Sequence, residues 1–136
     1  MIVRTLQDII DTDRDVHAPT WDSRRLLLAK DRVGFSMHDT TIHAGTETFM
    51  WYKHHLEAVY CVAGEGELED IDNGATYPVS DGTVYTLNGN ERHVLRARTE
   101  MRMICVFTPP LVGKEVHDED GIYPLLSDDA EPASVS

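Results

Sequence analysis

"HLEAVYCVAGEGELED", residues 55–70, decides the fold. From Leu56 to Ala63 the run is β-branched, aromatic and small, and Gly64 and Gly66 break it before a second short run begins. A strand, a glycine break and a second strand point to antiparallel sheet. Glu57, Val59 and Cys61 fall on one face of the first strand. Glu57 stands out there, because a carboxylate among apolar neighbours is costly unless it is paired or bound to a cation. An edge or turn glutamate in water is the plainer alternative. Of the adjacent histidines, His54 has the wrong parity to share the Glu57 face, and His55 shares it only if the chain is extended from Lys53.

The same pattern continues on both sides. "RRLLLAK" (24–30) is a short apolar run, and "VGFSMHDTTIHAG" (33–45) alternates, with Phe35 and Met37 opposite Ser36, His38 and Thr40. "IDNGATYPV" (71–79) puts Asn73-Gly74 where a hairpin turn belongs. "GTVYTLNGNERHVLRAR" (82–98) reads as another hairpin about Asn88-Gly89-Asn90, and "MRMICVFTPPL" (101–111) as a closing strand stopped by Pro109-Pro110. Near the N-terminus, Ile2 and Val3 are expected to open a strand. Thr5 followed by Asp8 caps a short helix over Leu6 to Ile10. Many short strands with Gly and Asn turns, and no sustained 3.6-residue period, predict an all-β protein: a small antiparallel barrel or sandwich with one or two short helices.

If the second turn is Asn88-Gly89-Asn90, Tyr85 and His93 are cross-strand partners with Cβ atoms about 5 Å apart, on the face of Leu87 and Leu95. That is close enough to share a metal, and equally the spacing of a core pair satisfying itself. Cys105 and Phe107 share a face of the closing strand, where plain core packing is the default. Trp21 and Arg25 can clamp a carboxylate or simply pack at the surface. "KEVHDEDG" (114–121) reads most simply as a solvated acidic loop.

Composition narrows the function classes. With 136 residues the chain is one domain, and 12 Lys+Arg against 24 Asp+Glu give a formal net charge of −12. Such a surface repels phosphate backbones and anionic lipid, so neither nucleic acid nor a membrane is an expected partner. Two cysteines, Cys61 and Cys105, are too few for a disulfide framework. The N-terminal "MIVRTLQDIIDTDRD" is charged throughout, without the apolar core of a secretory leader. A reduced, cytoplasmic protein is expected, with a barrel over 1–126 and an acidic, disordered tail over 127–136.

One spacing is specific. Gly45, five residues, positions 51 and 53, three residues, Glu57, six residues and Gly64 reproduce the first cupin motif, and Gly82 with Tyr85 fits the second. Trp51 and Lys53 stand where cupins carry a histidine pair, and Tyr85 replaces the histidine of the second motif. With "FSMHDTTIHAGTET", "WYKHHLEAVYC", "RHVLRA" and "PPLVGKEVHDEDGIYPL", this altered cupin resembles the ectoine synthase family over nearly its whole length. The resemblance implies a jelly-roll barrel and a homodimer. It implies Fe(II), with Zn or Mn as substitutes, held by Glu57, Tyr85 and His93. It also implies a hydro-lyase that closes N-γ-acetyl-L-2,4-diaminobutyrate to L-ectoine with loss of water, for osmoprotection. The family's ligand pocket maps onto Trp21, Arg25, Thr40, Tyr52, Cys105, Phe107, Glu115 and His117; of these Tyr52, Glu115 and His117 are the candidates for proton handling, with His117 the natural one near neutrality. His38 stands where a glutamine is expected. Another iron-dependent cupin enzyme, or a cupin that binds a solute without turnover, are the competing readings.

Overall fold

A computed structural model describes residues 1–113 and 115–123. Ten strands follow in chain order: β1 (Asp15–His17), β2 (Trp21–Leu27), β3 (Ser36–Ile42), β4 (Glu47–Trp51), β5 (Leu56–Ala63), β6 (Gly66–Asp70), β7 (Thr76–Val79), β8 (Val84–Leu87), β9 (Arg92–Ala97) and β10 (Met101–Thr108). They form a six-stranded sheet, β1-β2-β3-β10-β5-β8, facing a four-stranded sheet, β4-β9-β6-β7. Every pairing between them is antiparallel. This is the all-β antiparallel architecture expected from the alternation and the glycine breaks, in the jelly-roll form that the resemblance implies.

Period-two burial builds the core. On β10, Met101, Met103, Cys105 and Phe107 are buried, and on β5 so are Glu57, Val59 and Cys61. At Gly64, φ is +111° and a Cβ would run into the carbonyl of Glu100, so the break after β5 requires glycine for both backbone and space. Asn73-Gly74 does turn β6 into β7, with Gly74 at φ +78°.

Four expectations change. Ile2 and Val3 form no strand, and both are exposed. The capped helix is only a 3₁₀ turn, Leu6–Asp8, in which the Asp8 carboxylate accepts the Thr5 N–H at 2.7 Å. The only other helical segment among the described residues is a 3₁₀ turn, Ala29–Asp31.

The hairpin at Asn88-Gly89-Asn90 does not exist: β8 pairs with β5, whereas β9 pairs with β4 and β6 in the other sheet. The turn is a corner between sheets. Asn90, at φ +54°, donates its side-chain amide to the carbonyls of Tyr52 and His55 at 2.7 and 3.1 Å, which ties the corner to the loop before β5. Lastly, "KEVHDEDG" is not simply a solvated loop, because Glu115 is buried against the barrel. The expected boundary at 126 and the tail 127–136 lie outside the described residues.

Candidate active site

The long sheet lays its functional side chains out in rows. Arg25, His38, Cys105, Val59 and Tyr85 are successive cross-strand partners on β2, β3, β10, β5 and β8. The adjacent row runs Ser36, Phe107, Glu57 and Leu87. Since i and i+2 share a face, both rows point into the barrel. On β3 it is therefore the polar parity, Ser36, His38 and Thr40, that is buried.

Most of these side chains, but not Arg25, Ser36 or Leu87, line a cavity with about 420 Å³ of empty space, its open mouth included. Trp21, Thr40, Tyr52, Glu57, Tyr85, Cys105, Phe107, His117 and Tyr123 all contribute to its wall. Tyr52, Phe107, Tyr123 and His117 pack as an aromatic cluster, with His117 stacked on Tyr123 at 4.2 Å between centroids.

Glu57 and Tyr85 share this cavity, while His93 lines an adjoining recess together with Tyr85. His93 Nδ1 lies 3.0 Å from the carbonyl of Glu91, which can only accept, so Nδ1 carries the proton and Nε2 presents a bare lone pair. That Nε2 is buried and has no partner. Burial pushes the Glu57 carboxyl up to about 8, against a smaller opposing effect from a hydrogen bond with Cys105. The Tyr85 phenol is pushed well above its usual value by burial and by Glu57. A carboxyl, a phenol and a buried imidazole nitrogen without a partner are donor types that a divalent cation takes as ligands.

Arg25 lies behind the cavity wall. It is fully buried, with its guanidinium 6.0 Å from the Trp21 ring and 5.8 Å from that of Tyr123. Its Nε donates to Ser23 Oγ at 3.3 Å, and neither Nη has a hydrogen-bond partner. The nearest counter-charge is Glu115 Oε1, 3.8 Å from Nη1. Both Glu115 oxygens are already engaged, accepting the backbone N–H of Val112 at 2.8 Å and of Gly113 at 2.9 Å.

The Tyr52 hydroxyl lies 3.0 Å from His117 Nε2 and 3.2 Å from Met50 Sδ. Burial, reinforced by Arg25, pushes His117 down to about 3, so it is neutral at pH 7 rather than titrating near neutrality.

Of the two adjacent histidines, His54 is exposed. His55 is buried beneath Phe107 and Tyr123, outside the cavity wall, and its Nδ1 has no partner. Trp51 and Lys53, at the cupin histidine positions, lie against each other with Nζ 4.8 Å from the indole. Sequence reasoning missed Ser23, Ser36 and Tyr123. The two serines share parity with residues it did single out; Tyr123 follows an irregular segment whose course no periodicity reveals.

The chain matches the profile of ectoine synthase over residues 1–127. It is 57% identical to an L-ectoine synthase of Oceanobacillus iheyensis, covering 94% of this chain and 100% of that protein. It is 55% identical to one from Thermobifida fusca, covering 96% and 97%. The crystal structure of ectoine synthase from P. lautus superposes with a TM-score of 0.84 at 58% identity, covering 98% of this chain and 96% of that one. More distant barrels, such as KdgF from Halomonas sp. (TM-score 0.59, 18% identity), share the fold alone. The chain belongs to the ectoine synthase family.

Proposed function

We propose that this barrel binds N-γ-acetyl-L-2,4-diaminobutyrate with its carboxylate on Arg25 and closes it to L-ectoine beside Glu57, Tyr85 and His93. The observation that carries the reading is the buried Arg25 guanidinium, whose two Nη groups have no hydrogen-bond partner behind a cavity walled by aromatic rings. A fixed guanidinium whose Nη groups lack hydrogen-bond partners is suited to take a carboxylate bidentately. Trp21 flanks it, Thr40 offers a hydroxyl, and Cys105 and Phe107 shape the wall against the hydrocarbon of the substrate.

Ring closure joins the α-amine nitrogen to the acetyl carbonyl carbon. The carbonyl oxygen then leaves as water with the two amine hydrogens, and no redox partner is needed. Folding the substrate in this cavity replaces a random encounter by a held geometry, which removes much of the entropic part of the barrier. The amine attacks only when neutral. Tyr52 and His117 form the hydrogen-bonded pair assigned to its proton, with burial holding His117 uncharged and therefore only weakly basic. Glu115, held by two backbone N–H groups, fixes the charge environment of Arg25 and in this scheme orients rather than transfers.

Glu57, Tyr85 and His93 would hold Fe(II), and Zn or Mn suit the same donors. Such an ion supplies Lewis acidity toward the amide carbonyl. Homodimer assembly belongs to the same proposal: Tyr60 and Val84, cross-strand neighbours at the open edge strand β8, are exposed at 49% and 64% and form an apolar surface for a second copy. A cytoplasmic setting fits as well, and no helix among the described residues is long and apolar enough to cross a membrane.

The test is Glu57→Ala. Bound metal and cyclisation should both be lost while far-UV circular dichroism is retained. Full activity in a metal-free Glu57→Ala protein would end the metal part of the reading.

A further inference from the structure

His38 is fully enclosed and lies between two serine hydroxyls, its Nδ1 3.2 Å from Ser23 Oγ and its Nε2 3.2 Å from Ser36 Oγ. Each serine is anchored from its far side. Ser23 Oγ accepts Arg25 Nε–H at 3.3 Å, and Ser36 Oγ accepts the Leu111 N–H at 3.1 Å. The segment that begins at Leu111 then returns to the same arginine, because Val112 and Gly113 hold the Glu115 carboxylate 3.8 Å from Arg25 Nη1. The polar contacts therefore close on themselves: Arg25, Ser23, His38, Ser36, the 111–113 backbone, Glu115 and Arg25 again.

We propose that His38 is a positioning residue: a neutral imidazole that fixes the Arg25 guanidinium through Ser23 and so sets the affinity for the substrate carboxylate, without joining in ring closure. The inference rests on the reading of Arg25 as the carboxylate clamp.

The hydrogen-bond inventory fits a neutral ring. Each serine already accepts one N–H and has one hydrogen left to give. A neutral imidazole offers one N–H and one lone pair, so one serine donates to it and the other accepts from it, and only the accepting serine's own hydroxyl hydrogen is left over. A doubly protonated ring would require both serines to accept, and would place a second cation beside Arg25. Burial and Arg25 both hold His38 well below the usual histidine range.

An arginine side chain has many rotamers when free, and anchoring Nε leaves the two Nη groups aimed in one direction. His38 is cross-strand to Arg25, on the neighbouring strand, and reaches Ser23 from there, which a small residue at position 38 would not do.

The test compares His38→Leu, Ser23→Ala and His38→Gln with the parent in steady-state cyclisation, and repeats His38→Leu in an Arg25→Met background. His38→Leu and Ser23→Ala should each raise KM about tenfold or more, the scale of a lost hydrogen bond to a charged group. The kcat of both should stay within about threefold of the parent, since the two groups, although they reach the cavity wall, are assigned to holding Arg25 and not to ring closure. His38→Gln, which also offers one donor and one acceptor, should bring KM back to within about threefold of the parent. In Arg25→Met, His38→Leu should add less than about twofold. If His38→Leu does not fold, Ser23→Ala alone breaks the same link with little change in volume.

A fall in kcat with KM unchanged, or a full His38 effect on top of Arg25→Met, would overturn the positioning role. If Arg25→Met itself leaves KM at the parent value, the carboxylate-clamp reading fails first and the inference with it.

Discussion

Replacing Arg25 by methionine separates a clamp from a structural arginine. Arg25 and Glu115 attract across 3.8 Å, which at an effective dielectric near 20 is worth about 4 kcal/mol. Against that stands the cost of burying the guanidinium with both Nη groups unpartnered, which is several kcal/mol. Methionine fills much of the same volume and removes both effects. Glu115 keeps its two backbone N–H donors, so its charge is not abandoned. The two effects nearly cancel, and urea unfolding of Arg25→Met should change by no more than about 1.5 kcal/mol in either direction. Substrate binding has no such compensation. Losing the partner of a buried carboxylate costs about 2–5 kcal/mol, so KM should rise at least about thirtyfold. A variant that loses more than about 3 kcal/mol of stability while KM is unchanged would show that Arg25 holds the barrel together and does not hold substrate.

Two further substitutions test the electrostatics through the pH dependence of stability. Burial opposes ionisation of Asp31, but hydrogen bonds from Arg4, Arg14 and the Leu28 N–H outweigh it and hold its carboxyl well below the usual carboxylate range. A depressed carboxyl contributes stability that is present above its unfolded value near 3.9 and is lost as pH falls through the folded value. Asp31→Asn should therefore cost about 2 kcal/mol at pH 7, with the difference from the parent closing in acid; an equal gap at pH 2 would refute this. His117 is shifted the same way, so the sign is the same. The unfolded chain takes up its proton below about pH 6.5 while the folded chain stays neutral down to about 3, so stability is lost as pH falls through that window. His117→Gln should spare up to about 2 kcal/mol of the loss between pH 7 and 5, less where solvent reaches the half-buried ring; no change in the pH slope would refute it.

Strand content and the inward carboxylate were readable because period-two alternation and glycine breaks are local signals. Glu57 could be singled out from its apolar neighbours, and its register with Leu87 and Phe107 only refines that. The corner at Asn88–Asn90 was not readable. Its sequence is that of a tight hairpin, and what prevents one is the Asn90 side chain bonding to a loop 35 and 38 residues away. Tyr85 and His93 thus lie in different sheets rather than facing each other in one ladder. The polar parity of β3 was visible, but which face turned inward was not, since burying Ser36, His38 and Thr40 becomes favourable only once partners arrive from β2, β10 and the 111–115 segment. Glu115 likewise resembles a solvated acid until the backbone that wraps it is seen.

The most direct measurement is mass spectrometry of N-γ-acetyl-L-2,4-diaminobutyrate incubated with the purified protein, loaded with Fe(II) and kept anaerobic. A product lighter by one water, formed without oxygen consumption and absent with Glu57→Ala, is the expected result. Unchanged substrate mass under those conditions, with the acid bound but not turned over, would contradict the proposed ring closure and leave a barrel that only binds its ligand.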